Sequence, residues 1–114
     1  MLKLVAKAEN LGFDLLIVTS PYVATKNPAQ VLEFVSKLGE STELAIMFYN
    51  SPQFGIILEP EWLNKICEIQ NVVGVKEASF NKELSINTHL LIGDKAVIST
   101  PDEWIFFKGK EMVL

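Results

Sequence analysis

The nine residues Asn71-Val72-Val73-Gly74-Val75-Lys76-Glu77-Ala78-Ser79, NVVGVKEAS, decide how the chain is read. Val72 to Val75 form a short apolar run fit for a buried strand. Lys76 then arrives with no turn residue in between. A buried strand that ends on an amine has two explanations. Either the lysine sits at the sheet rim, solvated or paired with an acid such as Glu77 or Glu59, or its amine is held there to react.

Working outward, the run is one of four. "FDLLIVTS" (13–20) is apolar and bounded by Gly12 and Pro21, "ELAIMFYN" (43–50) repeats the pattern, and "KAVIST" (95–100) is the fourth. Helical spacing fills the gaps. Leu2, Val5, Ala6 and Leu11 form one face over 2–11, with Gly12 as a stop. Asn27-Pro28 opens a helix whose apolar face is Val31, Leu32, Phe34, Val35 and Leu38, with Gly39 expected to end it. "SPQFG" (51–55) is turn-like. Glu59-Pro60-Glu61 begins a helix burying Trp62, Leu63, Ile66, Cys67 and Ile69, its acids complementing the dipole. A weaker helix is expected over 81–90, and another from Pro101 toward 114, where Trp104, Phe106 and Phe107 suit packing.

Helix alternating with buried strand means βαβ units and a parallel sheet. Two architectures satisfy this: an open doubly wound sheet, or part of a (β/α)8 barrel, which takes about 250 residues when whole. At 114 residues the chain is read as a single domain. Both architectures gather ligands at the carboxyl ends of the strands. Here those ends carry Thr19-Ser20-Pro21-Tyr22, Tyr49-Asn50, Lys76-Glu77 and Ser99-Thr100-Pro101-Asp102. A doubly wound nucleotide fold would want a Gly-rich loop after a strand, and none follows any strand here.

Composition narrows the classes. Apolar residues make up 49% and charged residues 21%, as in a globular protein. The net charge is −4, and no basic run interleaves with aromatics, so nucleic acid is not an expected partner. No apolar run reaches the roughly 18 residues of a membrane span. The start, "MLKLVAKAEN", has charges every few residues and does not read as a secretory signal. The single cysteine, Cys67, has no internal partner, so a cytoplasmic location is expected and the thiol is read as inert core. No Cys or His pair has metal spacing. His89, the sole histidine, is read as a surface or packing residue.

An amine at the usual lysine pKa of about 10.4 is almost wholly protonated at neutral pH. Desolvation favours the neutral, nucleophilic form, which can add to a ketone and yield a Schiff base. That chemistry also needs a proton shuttle, and Tyr49, on the neighbouring strand end, is of the right type.

The order of the motifs "VTSPY" (18–22), "FYNSP" (48–52), "VVGVKEAS" (72–79) and "ISTPDE" (98–103) resembles the dihydrodipicolinate synthase and N-acetylneuraminate lyase family of class I aldolases and dehydratases. "YN.P" followed by "VGVKEAS" is its most specific part. The resemblance implies a partial (β/α)8 TIM barrel of about four βα units, matching the family's fourth to seventh strands. It implies a lysine imine to pyruvate or another 2-keto acid, with Lys76 as the imine-forming amine and Tyr49 as general acid/base. No cofactor and no metal are implied. Tyr22, Ser20, Ser79 and Asp102, at the same rim, are candidate substrate-binding residues; Asp102 and Glu103 also suit a helix start.

The chain departs from the family in three places. The family often carries an arginine soon after "YN.P", where this chain has Gln53-Phe54-Gly55. The tyrosine pair common in the synthase is here Tyr22-Val23. The Gly- and Thr-rich loop that holds the keto acid's carboxylate in the family has no counterpart string. Four strands leave two open sheet edges and an uncovered apolar face. A gene fragment, a homo-oligomer of half-barrels or a second chain completing the barrel would account for this. The alternative function is a catalytically inactive remnant or an interaction module of the same fold.

Overall fold

A computed structural model of the chain describes residues 2–21, 27–101 and 107–108. Helices α1 (Leu2–Asn10), α2 (Pro28–Glu40), α3 (Pro60–Cys67) and α4 (Lys82–Ile92) alternate with strands β1 (Leu15–Thr19), β2 (Ala45–Asn50), β3 (Val72–Glu77) and β4 (Val97–Ser99). The strands are parallel and lie in the order β1-β2-β3-β4. A doubly wound sheet reverses its strand order at a switch point. These strands follow chain order without reversal, and α3 packs against both α2 and α4. That is the progression of a (β/α)8 barrel, of which the chain supplies four βα units.

Local chemistry explains the elements. Gly12 takes φ +84° after α1, and the Phe13 amide donates back to the Ala8 carbonyl, closing the helix in a left-handed cap. Asn27 caps α2 by accepting from the Gln30 amide, with Pro28 in the first turn. Asn81 does the same for α4 through the Leu84 amide. The expected helix from Pro101 to 114 lies outside the described residues except at Pro101, Phe107 and Lys108, the last two of which are helical.

Gly39 does not end α2. The helix runs on to Glu40, and Ser41 caps it by donating its backbone amide to the Leu38 carbonyl. The glycine is there for another reason. A Cβ at Gly39 would lie 2.8 Å from Asn71 Oδ1 and 3.0 Å from Ile69 Cγ2. The Asn71 amide nitrogen faces the carbonyls of Gly39, Thr42 and Leu44 at 3.0–3.3 Å, tying the start of β3 to the end of α2 and the approach to β2.

One face of the sheet is covered and the other is open. Val18, Phe48 and Val75 lie in register across three strands and are buried. They pack with Val31, Val35, Leu38, Leu63, Ile66 and Leu84 of the helices. On the opposite face Ile17, Met47, Gly74 and Val97 share a register row, with Ile17 56% and Val97 59% exposed. The apolar runs are therefore helix-covered on one side only, and the other side is the uncovered barrel interior that four strands leave behind.

The opening stretch carries a bulge. Ile46 pairs with Val72 but Met47 pairs with Gly74, so Val73 is an extra residue on β3. At Gly74 a Cβ would fall 2.1 Å from the Val97 carbonyl oxygen. Only glycine lets β4 approach β3 there. We expect Gly74→Ala to destabilise the chain by about 1–3 kcal/mol, since backbone must move to admit the methyl group. Urea unfolding of the two chains checks this, and an unchanged midpoint contradicts it.

Candidate functional site

The sheet register brings four polar residues to one level at the carboxyl ends of the strands. Thr19 pairs with Tyr49, Tyr49 with Lys76, and Lys76 with Ser99. Side chains of register partners point to the same face. This row therefore stands on the open face, above the row of Ile17, Met47, Gly74 and Val97. Lys76 and Tyr49 are each half-buried.

Lys76 Nζ lies 4.4 Å from the centroid of the Tyr49 ring. An ammonium at that distance is attracted by the ring's negative face. Among the described residues no carboxylate forms an ion pair with Lys76; the pairing found is the exposed Lys37–Glu33 bridge on α2. The Tyr49 ring is held from its other neighbour by Phe54, edge-on at 5.2 Å and 62°. Phe54 ends a 3₁₀ turn, Pro52–Phe54, capped by Ser51. The buried Ser20 hydroxyl donates to the Phe54 carbonyl, which fastens that turn to the end of β1.

The residues after Tyr49 and Lys76 point the other way, into the helix-covered face. Asn50 and Glu77 are register partners, and each is 1% exposed. Glu77 Oε1 accepts from Asn50 Nδ2 at 3.2 Å and from the Ser79 amide at 3.2 Å. Its Oε2 accepts from the hydroxyls of Ser79 and of Ser85 on α4. Asn50 in turn grips the Leu58 backbone, accepting from its amide at 2.9 Å and donating to its carbonyl at 3.1 Å. All four groups around Glu77 are donors, the complement of an acceptor-only carboxylate. Its oxygens are thus taken up away from Lys76. The sequence reading gave Glu77 no role beyond pairing with the lysine. The signal was present in the alternation: two polar residues at positions where the strands otherwise bury Phe48 and Val75.

The other rim candidates are distributed as follows. Ser20 is tied to Phe54. Ser79 donates to Glu77 and accepts from the Asn81 amide at 3.2 Å. Tyr22 and Asp102 lie outside the described residues. His89 is buried on α4, its Nδ1 2.8 Å from the Ser85 carbonyl, a packing position. Among the described residues no group of three or more His, Cys, Asp or Glu side chains could hold a metal ion, and no helix is long and apolar enough to cross a membrane. A cleft of about 710 Å³ is lined by Ser36, Glu40, Glu43, Gln70 and Asn71. These flank the amino ends of β2 and β3, the end of a parallel sheet where ligands do not collect.

Cys67 is half-buried on α3, and burial pushes its thiol up from 9.0 to about 11, with Lys95 opposing. A raised thiol pKa leaves less thiolate, the reactive form, at neutral pH. Iodoacetamide at pH 7.5 should therefore label Cys67 in the folded chain on the order of 100-fold more slowly than in urea, read by mass spectrometry. Equal rates would contradict it.

Comparison with known proteins gives a consistent result. The profile of the dihydrodipicolinate synthetase family matches residues 1–109. The 4-hydroxy-tetrahydrodipicolinate synthase of Clostridium novyi (strain NT) is 33% identical over 89 residues, covering 77% of this chain and 30% of that protein. The crystal structure of dihydrodipicolinate synthase from Thermotoga maritima superposes with a TM-score of 0.86 at 27% identity, over 95% of this chain and 40% of that one. A chloride-inhibited dihydrodipicolinate synthase from Acinetobacter baumannii, complexed with pyruvate, shares the fold with a TM-score of 0.81 at 22% identity, over 89% of this chain and 35% of that one. The chain spans about a third of the length of the curated relatives it matches, from 28% to 34% of the first three.

Proposed function

Because the chain belongs to the dihydrodipicolinate synthetase family, we propose that it carries the imine-forming half of a lyase site. Lys76 forms a Schiff base with pyruvate or a related 2-keto acid, and Tyr49 moves the protons. The observation that carries this reading is the placement of Lys76 Nζ 4.4 Å from the Tyr49 ring centroid, at paired positions on adjacent strand ends. That one synthase of the same fold is known as a pyruvate complex supports the choice of keto acid.

The neutral Lys76 amine adds its lone pair to the keto carbon, and the carbonyl π electrons move to oxygen. Proton transfer from nitrogen to oxygen gives a neutral carbinolamine. Protonation of its hydroxyl lets water leave and forms a protonated imine. The imine nitrogen then accepts the electron pair released when a proton leaves the adjacent carbon, giving an enamine. That carbon can attack an aldehyde, or in reverse a carbon–carbon bond to it can break. Tyr49, with a hydroxyl that both donates and accepts, suits the proton transfers. Phe54 and Ser20 keep its ring in place.

The exposure of the face that bears Lys76 favours a second reading, in which the chain is an interaction module or remnant of the fold with no turnover by itself. The two readings separate in one experiment. The chain is incubated with pyruvate, reduced with borohydride and digested. A stable three-carbon acid on Lys76, absent in Lys76→Ala and formed about 10²–10⁴-fold more slowly in Tyr49→Phe, supports the imine site. No adduct on the folded chain, even with the keto acid in large excess, supports the non-catalytic module.

A further inference from the structure

The buried carboxylate behind the lysine has no part in the reaction as drawn. A carboxylate out of reach of water is costly unless its hydrogen bonds are complete. Glu77 meets that condition with four donors drawn from three segments: Asn50 at the end of β2, Ser79 in the loop after β3, and Ser85 on α4. Asn50 extends the reach to Leu58 by two further bonds. The Ala78 amide also donates to the Asn50 carbonyl at 2.9 Å, continuing the β2–β3 ladder one step beyond the Tyr49–Lys76 pair.

These bonds enclose the point where the two reactive side chains leave the backbone. Tyr49 is one residue before Asn50, and Lys76 is one residue before Glu77. Fixing Asn50 against Glu77 on the covered face sets the spacing and twist of β2 and β3 where Tyr49 and Lys76 emerge on the open face. The Asn50 grip on Leu58 also closes the loop that carries Phe54, the ring packed on Tyr49. We infer that Glu77 is a positioning residue, holding Lys76 over the Tyr49 ring through Asn50 from the opposite face of the sheet. Its catalytic consequence rests on the Schiff-base reading above; its geometric content does not.

The test therefore has a readout that needs no substrate. The ε-methylene of a lysine held over an aromatic face is shifted upfield by the ring current, and a Lys76→Arg spectrum identifies the signal in carbon-13-labelled full chain. Tyr49→Leu sets the zero. Glu77→Gln keeps the length of the side chain and can still accept from Asn50 while donating to the serine hydroxyls. Glu77→Asp keeps the charge but is one methylene too short to reach all three segments. Glu77→Gln should retain the upfield shift, and Glu77→Asp should lose more than half of it. Should Glu77→Asp fail to fold, Ser85→Ala, which removes only the bond to α4, takes its place with the same expectation. An unchanged shift in both variants overturns the inference, and so does the reverse order, which would make the charge and not the reach decisive. In the borohydride assay the trapping rate should fall about tenfold or more in Glu77→Asp, since small displacements of reacting groups carry large rate penalties, and stay within about threefold of wild type in Glu77→Gln. If wild type gives no adduct, the Schiff-base reading fails and the shift comparison alone decides the positioning role.

Discussion

The constraint on which the upper end of this sheet depends is the burial of a carboxylate held by hydrogen-bond donors. Among the described residues no lysine or histidine pairs with Glu77. Four donors stabilise it, and removing one such partner from a buried acceptor costs about 1–3 kcal/mol. The four donors come from three segments, so satisfying Glu77 requires β2, the loop after β3 and α4 to be in place together around β3. The carboxylate acts as a local specification of the fold, and it is met only at the register in which Asn50 stands opposite Glu77.

That register has a second effect, because adjacent residues of a strand face opposite ways. Asn50 and Glu77 point to the helices, so Tyr49 and Lys76 point to the open face. The sheet thus divides its ends into a covered side that holds and an exposed side that can meet a ligand. The exposed side continues downward as an apolar surface of Ile17 and Val97, with Met47 half-buried between them. In a whole barrel such positions interdigitate in layers. Here they form an apolar patch.

Much of this was legible in the residues. The apolar runs ended where polar side chains began, and Asn27-Pro28 and Gly12 acted as local chemistry demands. Strand order could not be read from the alternation, since βαβ units fit both winding schemes; the resemblance implied the barrel, and the observed order bears it out with no switch point. Gly39 was misread because a glycine near a helix end has two uses. Its neighbour in space, Asn71, is far away in sequence, and nothing local announces the contact. The bulge at Val73 escaped for the same reason, since it is a relation between strands. Tyr49 and Lys76 on neighbouring strand ends were legible from the strand pattern, the resemblance gave them roles, and the geometry adds the distance.

The question raised by NVVGVKEAS then has an answer in two parts. A lysine at the end of an apolar strand need not be a surface residue, because the strand's last positions are governed by alternation and not by the run before them. Val75 is buried against helices, Lys76 turns to the open face, and Glu77 turns back into the core. Three consecutive residues therefore contribute packing, an available amine and an anchored carboxylate. A single-residue slip of β3 would exchange these environments, putting an ammonium among Phe48, Leu63 and Leu84 and leaving Asn50 without its partner. Such a slip is opposed on both faces, and the bulge absorbs the mismatch lower down, at Val73. The irregularity beneath the site and the carboxylate behind it act together: one admits the register, and the other, with its four donors, is satisfied only in it.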